Sequence, residues 1–431
     1  PGVGYRCESV MMPIFTIGWS SPHVWQARMN ATPGQTHHIK AEWAWARFNG
    51  AMEESSGIQG HFGVIVDPRI DRTREHKLID ILTITLCAVI CGAEHFTEIA
   101  MFGNAKLAWF RTFLELPNGI PSHDTFGRVL SLLDPGQFQS CFLNWIRDMA
   151  KLKLGEVVAI DGKRLRGSKD GKTGTLSAEM ISAWATSAGL VIGQKHVPEG
   201  TNEIATVPEL LKVLMLKGCI VTVDAANCQT QNARLVIERG GDYVFALKEN
   251  QPALFADIEK AFDFEAKTNF SQVRHSTYET QDHAHGRVET RRYTLIDDPT
   301  YIDYLNVDGR WFGLASICRV ERMRKAGAKV EHNSAYYISS VHGSARDLEH
   351  AIRSHWDVEN GLHWRLDIAF REDHSRARQG YAAENLAVIR HIALNLLKLD
   401  KTKKVGIKSK RLAAGWDEAY LLHLAASDLK L

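Results

Sequence analysis

Three acidic residues that lie far apart in the chain have types and positions suited to binding one ligand together. Asp161 in VVAIDGKRLRG and Asp224 in CIVTVDAANCQ each end an apolar run that is typical of a buried strand. Aspartate is unfavourable within strands, so an Asp at a strand end either caps the following turn or faces a ligand site. One such Asp favours the cap, whereas two of them together with a third acid, Glu359, favour the ligand site.

Glu359 lies on a predicted helix that runs from Ala345 to about Phe370 without a proline. The apolar stripe of this helix consists of Leu348, Ile352, Trp356, His363, Leu366 and Phe370. At ~100° per residue these positions and Glu359 fall within an arc of roughly 80°, which predicts that the carboxylate points inward. An inward carboxylate needs a partner: a divalent cation shared by several carboxylates, or an ion pair with Arg353 or Arg365.

Composition and charge indicate a globular chain of two or three domains. The 431 residues are 45% apolar and 24% charged, enough to bury a large core. The longest uncharged apolar stretch, Ile81 to Ala93, is too short to span a bilayer. The start of the chain resembles a signal peptide only poorly, and seven cysteines without a paired framework fit reduced thiols, so we expect a cytoplasmic protein.

The formal net charge of +2 does not by itself indicate a nucleic-acid partner, but local charge is more informative. Residues 398–411 carry seven Lys or Arg and one Asp, and residues 161–172 carry five Lys or Arg and two Asp. Such runs are usually solvated loops. Beside acidic metal ligands, however, a basic run suits a phosphate-bearing polymer.

The region from residue 52 to residue 150 has a helical pattern. Ile79 to Ile90 predicts a buried helix, and Ser122 caps a second helix. The turn at 134–136 leads into a third helix. Two short helices around a tight turn, with Ser122 and Arg128 near the start of the first, fit a helix-turn-helix DNA reader, and a plain helical bundle fits equally well.

The remaining chain predicts a ribonuclease H-like α/β fold. Strands 157–161, 177–185 and 189–197, helix 203–216, strand 219–224, helix 228–239 and strand 242–247 follow in order. In this order the first strand, the fourth strand and a late helix bring carboxylates to one point. The long gap between Asp224 and Glu359 predicts an insertion before the strand at 336–340.

We therefore predict five segments. The catalytic core, a mixed sheet flanked by helices, comprises residues 151–250 and 336–398, and a mostly β insertion occupies 251–335. Residues 52–150 form the N-terminal helical, DNA-binding domain, and 399–431 form a basic C-terminal tail with a short helix. Residues 1–51, which hold four of the eleven tryptophans and little periodicity, are interpreted as an upstream extension or a disordered arm.

Several long motifs, in order, resemble those of insertion-sequence DDE transposases. They are AIDGKRLRGS, TNEIATVPELL, KGCIVTVDAANCQ, GGDYVFALKENQ, HGRVETRRY, RSHWDVENGLHWRLDIAFRED, RQGYAAENLAVIRHIALNLLK and AGWDEAYLL. The chain looks most like the branch of H-repeat-associated proteins linked to Rhs elements. The resemblance extends from about Phe62 to Leu424.

The resemblance implies a function and assigns residues to it. Asp161, Asp224 and Glu359 match the DDE positions, which implies catalysis and metal binding by these three residues. We predict DNA contacts from basic residues near the motifs and from the helical region: Lys163, Arg164, Arg166, Lys248, Arg287, Arg291, Arg353, Arg365, Ser122 and Arg128. The implied partners are double-stranded DNA, as element ends and target, and further copies of the chain in a homodimer or larger assembly. The implied location is the nucleoid.

Two departures from the family pattern affect the surroundings of the triad. Related transposases carry a Tyr, Arg, Glu and Lys series on the Glu helix, but here Ile352 and His355 precede Glu359 by seven and four positions, and Leu366 follows it by seven. After Asp224, the sequence 226–228 (Ala-Asn-Cys) replaces a more usual Gly-containing turn. These departures put in doubt the DNA-end contacts assigned to the series and the conformation of the loop after Asp224.

The chemistry expected of three carboxylates is metal-dependent phosphodiester cleavage. Carboxylate and water oxygens suit Mg²⁺ or Mn²⁺, and two ions ~3.5–4 Å apart suit an in-line displacement. Water would free a 3′-hydroxyl at the element end, and this hydroxyl would attack target DNA. The alternatives are a nuclease of the same fold that does not join strands, and a DNA-binding derivative that has lost catalysis.

Overall fold

The fold is built around one mixed β-sheet, as the sequence predicts. A computed structural model describes residues 58–169, 174, 176–284 and 287–425, and in these residues nine strands form a sheet of order β3-β2-β1-β4-β5-β9-β8-β7-β6. The strands are β1 (Val157–Arg164), β2 (Glu179–Ala185), β3 (Leu190–His196), β4 (Ile220–Val223), β5 (Asp242–Leu247), β6 (His275–Ala284), β7 (Arg287–Ile296), β8 (Ser316–Ala326) and β9 (Lys329–Ser339).

The first five strands have the predicted ribonuclease H-like order. β1, β4 and β5 run parallel, and β2 and β3 run antiparallel to their neighbours. The first four residues of β1 and the last three of β4 are buried, as expected of parallel strands that are covered on both faces. The sheet therefore places the carboxyl end of β4 next to Ile160 in the middle of β1.

Four antiparallel strands from the predicted insertion extend this sheet. β9 pairs with β5 through Tyr336 to Ser339, and β8, β7 and β6 follow outward. The boundary predicted between residues 335 and 336 therefore falls inside β9. The segment also contains two helices, at Pro252–Lys267 and Pro299–Leu305, so its strands continue the core sheet while its helices pack beside it.

Helices precede, connect and follow the strands. They are α1 (Ile58–Phe62), α2 (Leu78–Cys91), α3 (Phe96–Ala105), α4 (Leu107–Phe110), α5 (His123–Leu132), α6 (Pro135–Met149), α7 (Glu203–Leu211), α8 (Thr230–Glu238), α9 (Pro252–Lys267), α10 (Pro299–Leu305), α11 (Ala345–His355), α12 (Trp364–Phe370), α13 (Ala382–Leu399), α14 (Ile407–Trp416) and α15 (Glu418–Ala425). α7, α8 and α9 bury apolar residues against one sheet face, and α11 covers part of the other.

The N-terminal helices and α13 share a large apolar core. As predicted, Ser122 caps α5, by accepting a hydrogen bond from the Thr125 amide, and the α5 residues Phe126 and Val129 are buried. From α13, Asn385 donates to the carbonyls of Leu130 and Leu133 at the end of α5. The helix-turn-helix assignment itself remains a prediction.

α13 also attaches the N-terminal helices to the edge of the sheet. The Asn395 carboxamide both accepts from the Val191 amide and donates to the Val191 carbonyl, and so satisfies backbone groups of edge strand β3. In the basic run at residues 398–411, Lys410 and Arg411 are buried and donate hydrogen bonds to backbone carbonyls. These two cations are structural and do not belong to a solvated loop.

Within the described residues, no single helix has the length and apolar character needed to cross a membrane. One bent pair, α2 with α3, meets that test by length and composition alone, with an angle of 96° between its halves. Both helices contribute buried residues to the core shared with α13. The six cysteines described are free. Residues 1–51 lie outside the described part of the chain.

Candidate active site

Asp161 and Asp224 lie side by side at the point where the parallel pairing of β1 with β4 ends. Ile160 on β1 is in register with Val223 on β4, and each Asp is the next residue along its strand. Neighbouring strands are about 4.8 Å apart, so this register brings the two carboxylates to one edge of the sheet. The spacing of strands in the sequence predicts this pairing correctly.

Glu359 reaches the same region from a π-helical segment, Val358–His363, between α11 and α12. This segment packs on β1 through the buried Val358 and Leu362, while Glu359 is exposed. A π-turn holds more residues than an α-turn and so shifts the phase of the positions that follow. The prediction of an inward Glu359 on an unbroken apolar stripe is therefore wrong, and Trp356, another predicted stripe residue, is 60% exposed.

The negative charges of this region act on one another. Burial, together with the charges of Asp224 and Glu359, raises the pKa of Asp161 to about 6, against the lowering effect of a hydrogen bond from the Gly162 amide. Arg353, which the sequence offers as a partner for Glu359, instead contacts Asp282 at 2.9 Å and Glu349 at 3.8 Å. The ion-pair alternative with Arg353 therefore has no support in the structure.

The unusual turn after Asp224 fixes this carboxylate. Oδ1 of Asp224 accepts hydrogen bonds from the backbone N of Asn227 at 3.1 Å and from its side-chain Nδ2 at 2.9 Å. The Asn227 side chain thus supplies a contact that a glycine cannot make. The departure from the family pattern at 226–228 holds the second acid in place.

A fourth acidic residue, Glu203, lies in the site and was not predicted. It is the first residue of α7, and burial together with the charges of Glu179, Asp224 and Asp161 raises its pKa to about 7. Glutamate in the first turn of a helix is common for reasons of the helix dipole alone, so its sequence position gave no specific signal. The order of β3 followed by α7, which packs on β2 and β3, is the signal that could have identified it.

Two histidines of the Glu helix region line the site. His355 Nδ1 is 3.0 Å from Thr222 Oγ1 on β4, so the residue four positions before Glu359 makes a hydrogen bond to the sheet. His363 Nδ1 is 3.7 Å from Asp161 Oδ2. Burial, followed by the charge of Lys163, lowers the pKa of His363 to about 4, so at neutral pH this contact is not an ion pair.

Lys163, a predicted DNA contact, is buried in a separate cluster of charges. Its Nζ lies 2.8 Å from Asp367, 3.0 Å from Asp373 and 3.4 Å from Glu372, and its side chain is 9% exposed. On the far side, Arg390 lies 3.7 Å from Glu372. The structure thus directs Lys163 inward, because three carboxylates from α12 and the segment after it neutralise the amine.

The remaining predicted DNA contacts have different surroundings. Side chains at the surface belong to Arg128, Arg164, Arg166, Lys248 and Arg287, whereas Arg365 is half-buried. Arg291 and Arg353 share Asp282, at the border between the β-insertion and α11. Ser122 acts as the cap of α5. These residues lie on several elements, and their role in DNA binding stays a prediction.

The donor set of the site fits a hard divalent cation by its chemistry. Asp161, Asp224, Glu203 and Glu359 supply only oxygen atoms, and among the described residues no Lys or Arg side chain forms an ion pair with them. The described part of the chain holds no group of three or more His, Cys, Asp or Glu already arranged around one point.

Comparison with known proteins relates this geometry to a family. The model of the transposase DDE domain matches residues 153–396, and that of the DDE_Tnp_1-associated domain matches residues 59–146. The H repeat-associated protein YhhI of Escherichia coli K12 is 40% identical over 377 residues, 86% of this chain and 98% of YhhI.

A second relative and a solved structure are also similar to this chain. YncI of Escherichia coli O157:H7 is 38% identical over 374 residues, 85% of this chain and 94% of its own length. A cryo-electron microscopy structure of a piggyBac transposase synaptic complex with hairpin DNA covers 90% of this chain and 80% of that chain, with 12% identity and a TM-score of 0.40. From the domain model and the two relatives, the chain belongs to the DDE transposase family.

Proposed function

We propose that this protein is a DNA transposase that cleaves phosphodiester bonds at the ends of an insertion sequence and transfers the freed strand into target DNA. The observation that carries the proposal is the negative charge where β4 ends beside β1. There Asp161, Asp224 and Glu359 act on one another, and no described Lys or Arg neutralises them. An uncompensated set of carboxylates in a transposase of this family is suited to recruiting Mg²⁺ or Mn²⁺.

The roles of the three acids follow from their positions. Asp161, which is affected by the charges of both other acids, would be shared between two ions, while Asp224 and Glu359 would each hold mainly one. When bound, such a pair of ions activates the attacking oxygen and stabilises the leaving oxygen. Asn227 keeps Asp224 oriented through two hydrogen bonds, and neutral His363 packs beside Asp161 without competing for it as a cation.

The same site would serve both strand cleavage and strand transfer. Glu359 is exposed at the open side, where a DNA strand can approach, and Asp161 lies behind it toward the sheet. A water molecule and later a 3′-hydroxyl can occupy the same attacking position, so no covalent protein intermediate is needed. Surface residues such as Arg164 and Arg166 would contact the DNA backbone, and pairing of two ends would require a dimer or larger assembly.

The test is Asp161→Asn in an assay with paired element ends, a target plasmid and Mg²⁺. We expect cleavage to fall by at least about 10³-fold, because an amide cannot replace the bridging charge, while end binding measured by gel shift remains. The matched control is Asp257→Asn on α9, an acid that lies 3.9 Å from Lys260 at the surface. Retained cleavage by Asp161→Asn would contradict the proposal.

The same assay separates the two alternatives. A nuclease of this fold yields cut ends without insertion products, and a derivative that has lost catalysis binds ends but yields neither product. Insertion of the element end into the plasmid by the wild-type protein is the result expected of a transposase.

A further inference from the structure

A single side-chain amide connects two acidic residues of the site. Nδ2 of Asn227 lies 2.9 Å from Asp224 Oδ1 and 3.4 Å from Glu203 Oε2. An amide nitrogen carries two hydrogens, so it can donate to both carboxylates at once. Glu203 is thereby connected to a residue of the DDE triad, although it lies on a different element, α7.

The backbone of β1 makes room for the same carboxylate. A β-carbon at residue 162 would overlap the carboxylate of Glu203, so a glycine at this position lets Glu203 approach the strand beside Asp161. Glu203 therefore contacts the site from two sides: it lies against the residue that follows Asp161, and it shares a donor with Asp224.

The connecting residue is buried and has an unused polar atom. Asn227 is 2% exposed, and its Oδ1 has no hydrogen-bond partner among the described residues. A buried carbonyl oxygen without a partner is costly, and oxygen atoms of this kind are ligands that hard cations accept. The unpaired atom is thus a second indication, independent of the carboxylates, that a cation belongs in this part of the site.

We infer that Glu203 is a fourth acidic residue of the cation-binding site and that Asn227 is the positioning residue that aligns it with Asp224. This inference rests on the proposed function, because it deepens the description of the same site. It assigns to Asn227, which departs from the family pattern, the task of holding two carboxylates toward one point. It also explains why the strand that carries Asp161 continues with a glycine.

The surroundings of Glu203 allow its charge to be removed without disrupting the fold. Glu203 lies next to the Glu179 carboxyl group, which in turn lies 3.3 Å from Arg164. The substitution Glu203→Gln retains a group that can donate a hydrogen bond to Glu179, so the fold should be preserved. Glu209→Gln, on the same helix, is the matched control, because Glu209 contacts Lys212 at the surface.

The experiment measures Mn²⁺ binding to the full chain by isothermal titration calorimetry, without DNA. We expect Glu203→Gln to weaken Mn²⁺ binding by at least about tenfold and Glu209→Gln to leave it unchanged. We expect Asn227→Ala to weaken it by about threefold, and by less in the Glu203→Gln background, because Asn227 acts partly through Glu203. Thermal unfolding in a chelator should show Glu203→Gln to be no less stable than the wild type.

Two outcomes are decisive, and they differ from failure of the proposed function. If Glu203→Gln binds Mn²⁺ as the wild type does while Asp161→Asn does not, Glu203 lies outside the ion site and the inference is overturned. If Glu203→Gln instead loses stability in the chelator in proportion to its loss of binding, its role is structural and the inference is again overturned. If Asp161→Asn also binds normally, the proposed site itself is wrong.

Discussion

Strand β1 carries two charged residues on the same face, and their surroundings differ sharply. Asp161 lies among the acids Asp224, Glu203 and Glu359, and no described Lys or Arg forms an ion pair with this group. Two positions along, Lys163 lies among three acids, Asp367, Glu372 and Asp373, and pairs with all of them. One cluster therefore has unbalanced charge and the other is neutralised within the protein.

The difference separates a structural cluster from a functional one. In the Lys163 cluster, burial alone would lower the pKa of the lysine, but the surrounding carboxylates raise it above its ordinary value, so the amine stays charged and the cluster holds α12 on the sheet. In the Asp161 cluster, burial and like charges raise the pKa of the acid, which disfavours the charged form. Unbalanced charge of this kind lowers stability and is typical of sites that bind a ligand.

The largest stability effect should come from the neutralised cluster. Lys163→Met would leave Asp367 without its ion-pair partner, and Glu372 and Asp373 with only Arg390 and Arg166, so we expect the free energy of unfolding to fall by about 3–5 kcal/mol. The measurement is chemical denaturation followed by circular dichroism. The neighbouring Arg164→Met is the control, because Arg164 is 74% exposed and its ion pair with Glu179 should be worth about 0–1 kcal/mol.

The same pair of variants decides whether Lys163 contacts DNA. If Lys163 binds a phosphate, Lys163→Met should weaken end binding at unchanged stability and reduce the salt dependence of binding. An equal, small stability change in both variants would refute the structural role that its ion pairs indicate.

In the acidic cluster around Asp161 we expect the opposite effect, because removing a charge there should raise the free energy of unfolding. The pKa of Asp161 is raised to about 6 in the folded chain from an ordinary value of 3.8, so its stabilising contribution is present at low pH and is lost as the pH rises through 6. Asp161→Asn does not undergo this loss. In a chelator we therefore expect this variant to be more stable than the wild type at pH 8, by about 1–3 kcal/mol.

The pH dependence provides the check on this second prediction. The advantage of Asp161→Asn should shrink between pH 8 and pH 5, because the wild-type carboxyl takes up a proton over that range. Added Mn²⁺ at pH 8 should stabilise the wild type and not the variant. A variant less stable than the wild type at pH 8 would contradict this prediction and would show that the Asp161 charge is compensated in the folded chain.

The sequence predicts strands β1 and β4 and the proximity of Asp161 and Asp224 because these features depend on short stretches of sequence. Short apolar runs ending in Asp fix β1 and β4, and the order of strands and helices then requires the two to be neighbours. The continuation of β1 to Arg164 was missed because residues 162–164 are not apolar. It depends on pairing with β2, where Lys163 is in register with Met180.

Features that depend on contacts between residues far apart in the chain could not be predicted from the sequence. Asp367 and Asp373 neutralise a lysine some two hundred positions earlier in the chain, so no spacing rule could relate them. The π-segment that exposes Glu359 is set by the packing of Val358 and Leu362, and an apolar stripe counted at the α-helical period cannot reveal a change of period. Glu203 was overlooked because its acidic side chain has an ordinary explanation at a helix start.

The smallest effect should come from Gly162, which lies between the two clusters. Gly162→Ala places a β-carbon where the Glu203 carboxylate lies, so the flexible end of the Glu203 side chain must shift, at a cost of about 0.5–1 kcal/mol. If the overlap with Glu203 is the cause, the cost should shrink by about half or more in a Glu203→Ala background. A double-mutant cycle of unfolding free energies measures this coupling. Equal costs in both backgrounds would mean that the glycine is required by the strand alone, and the two clusters would then meet at β1 without Glu203 as part of the acidic one.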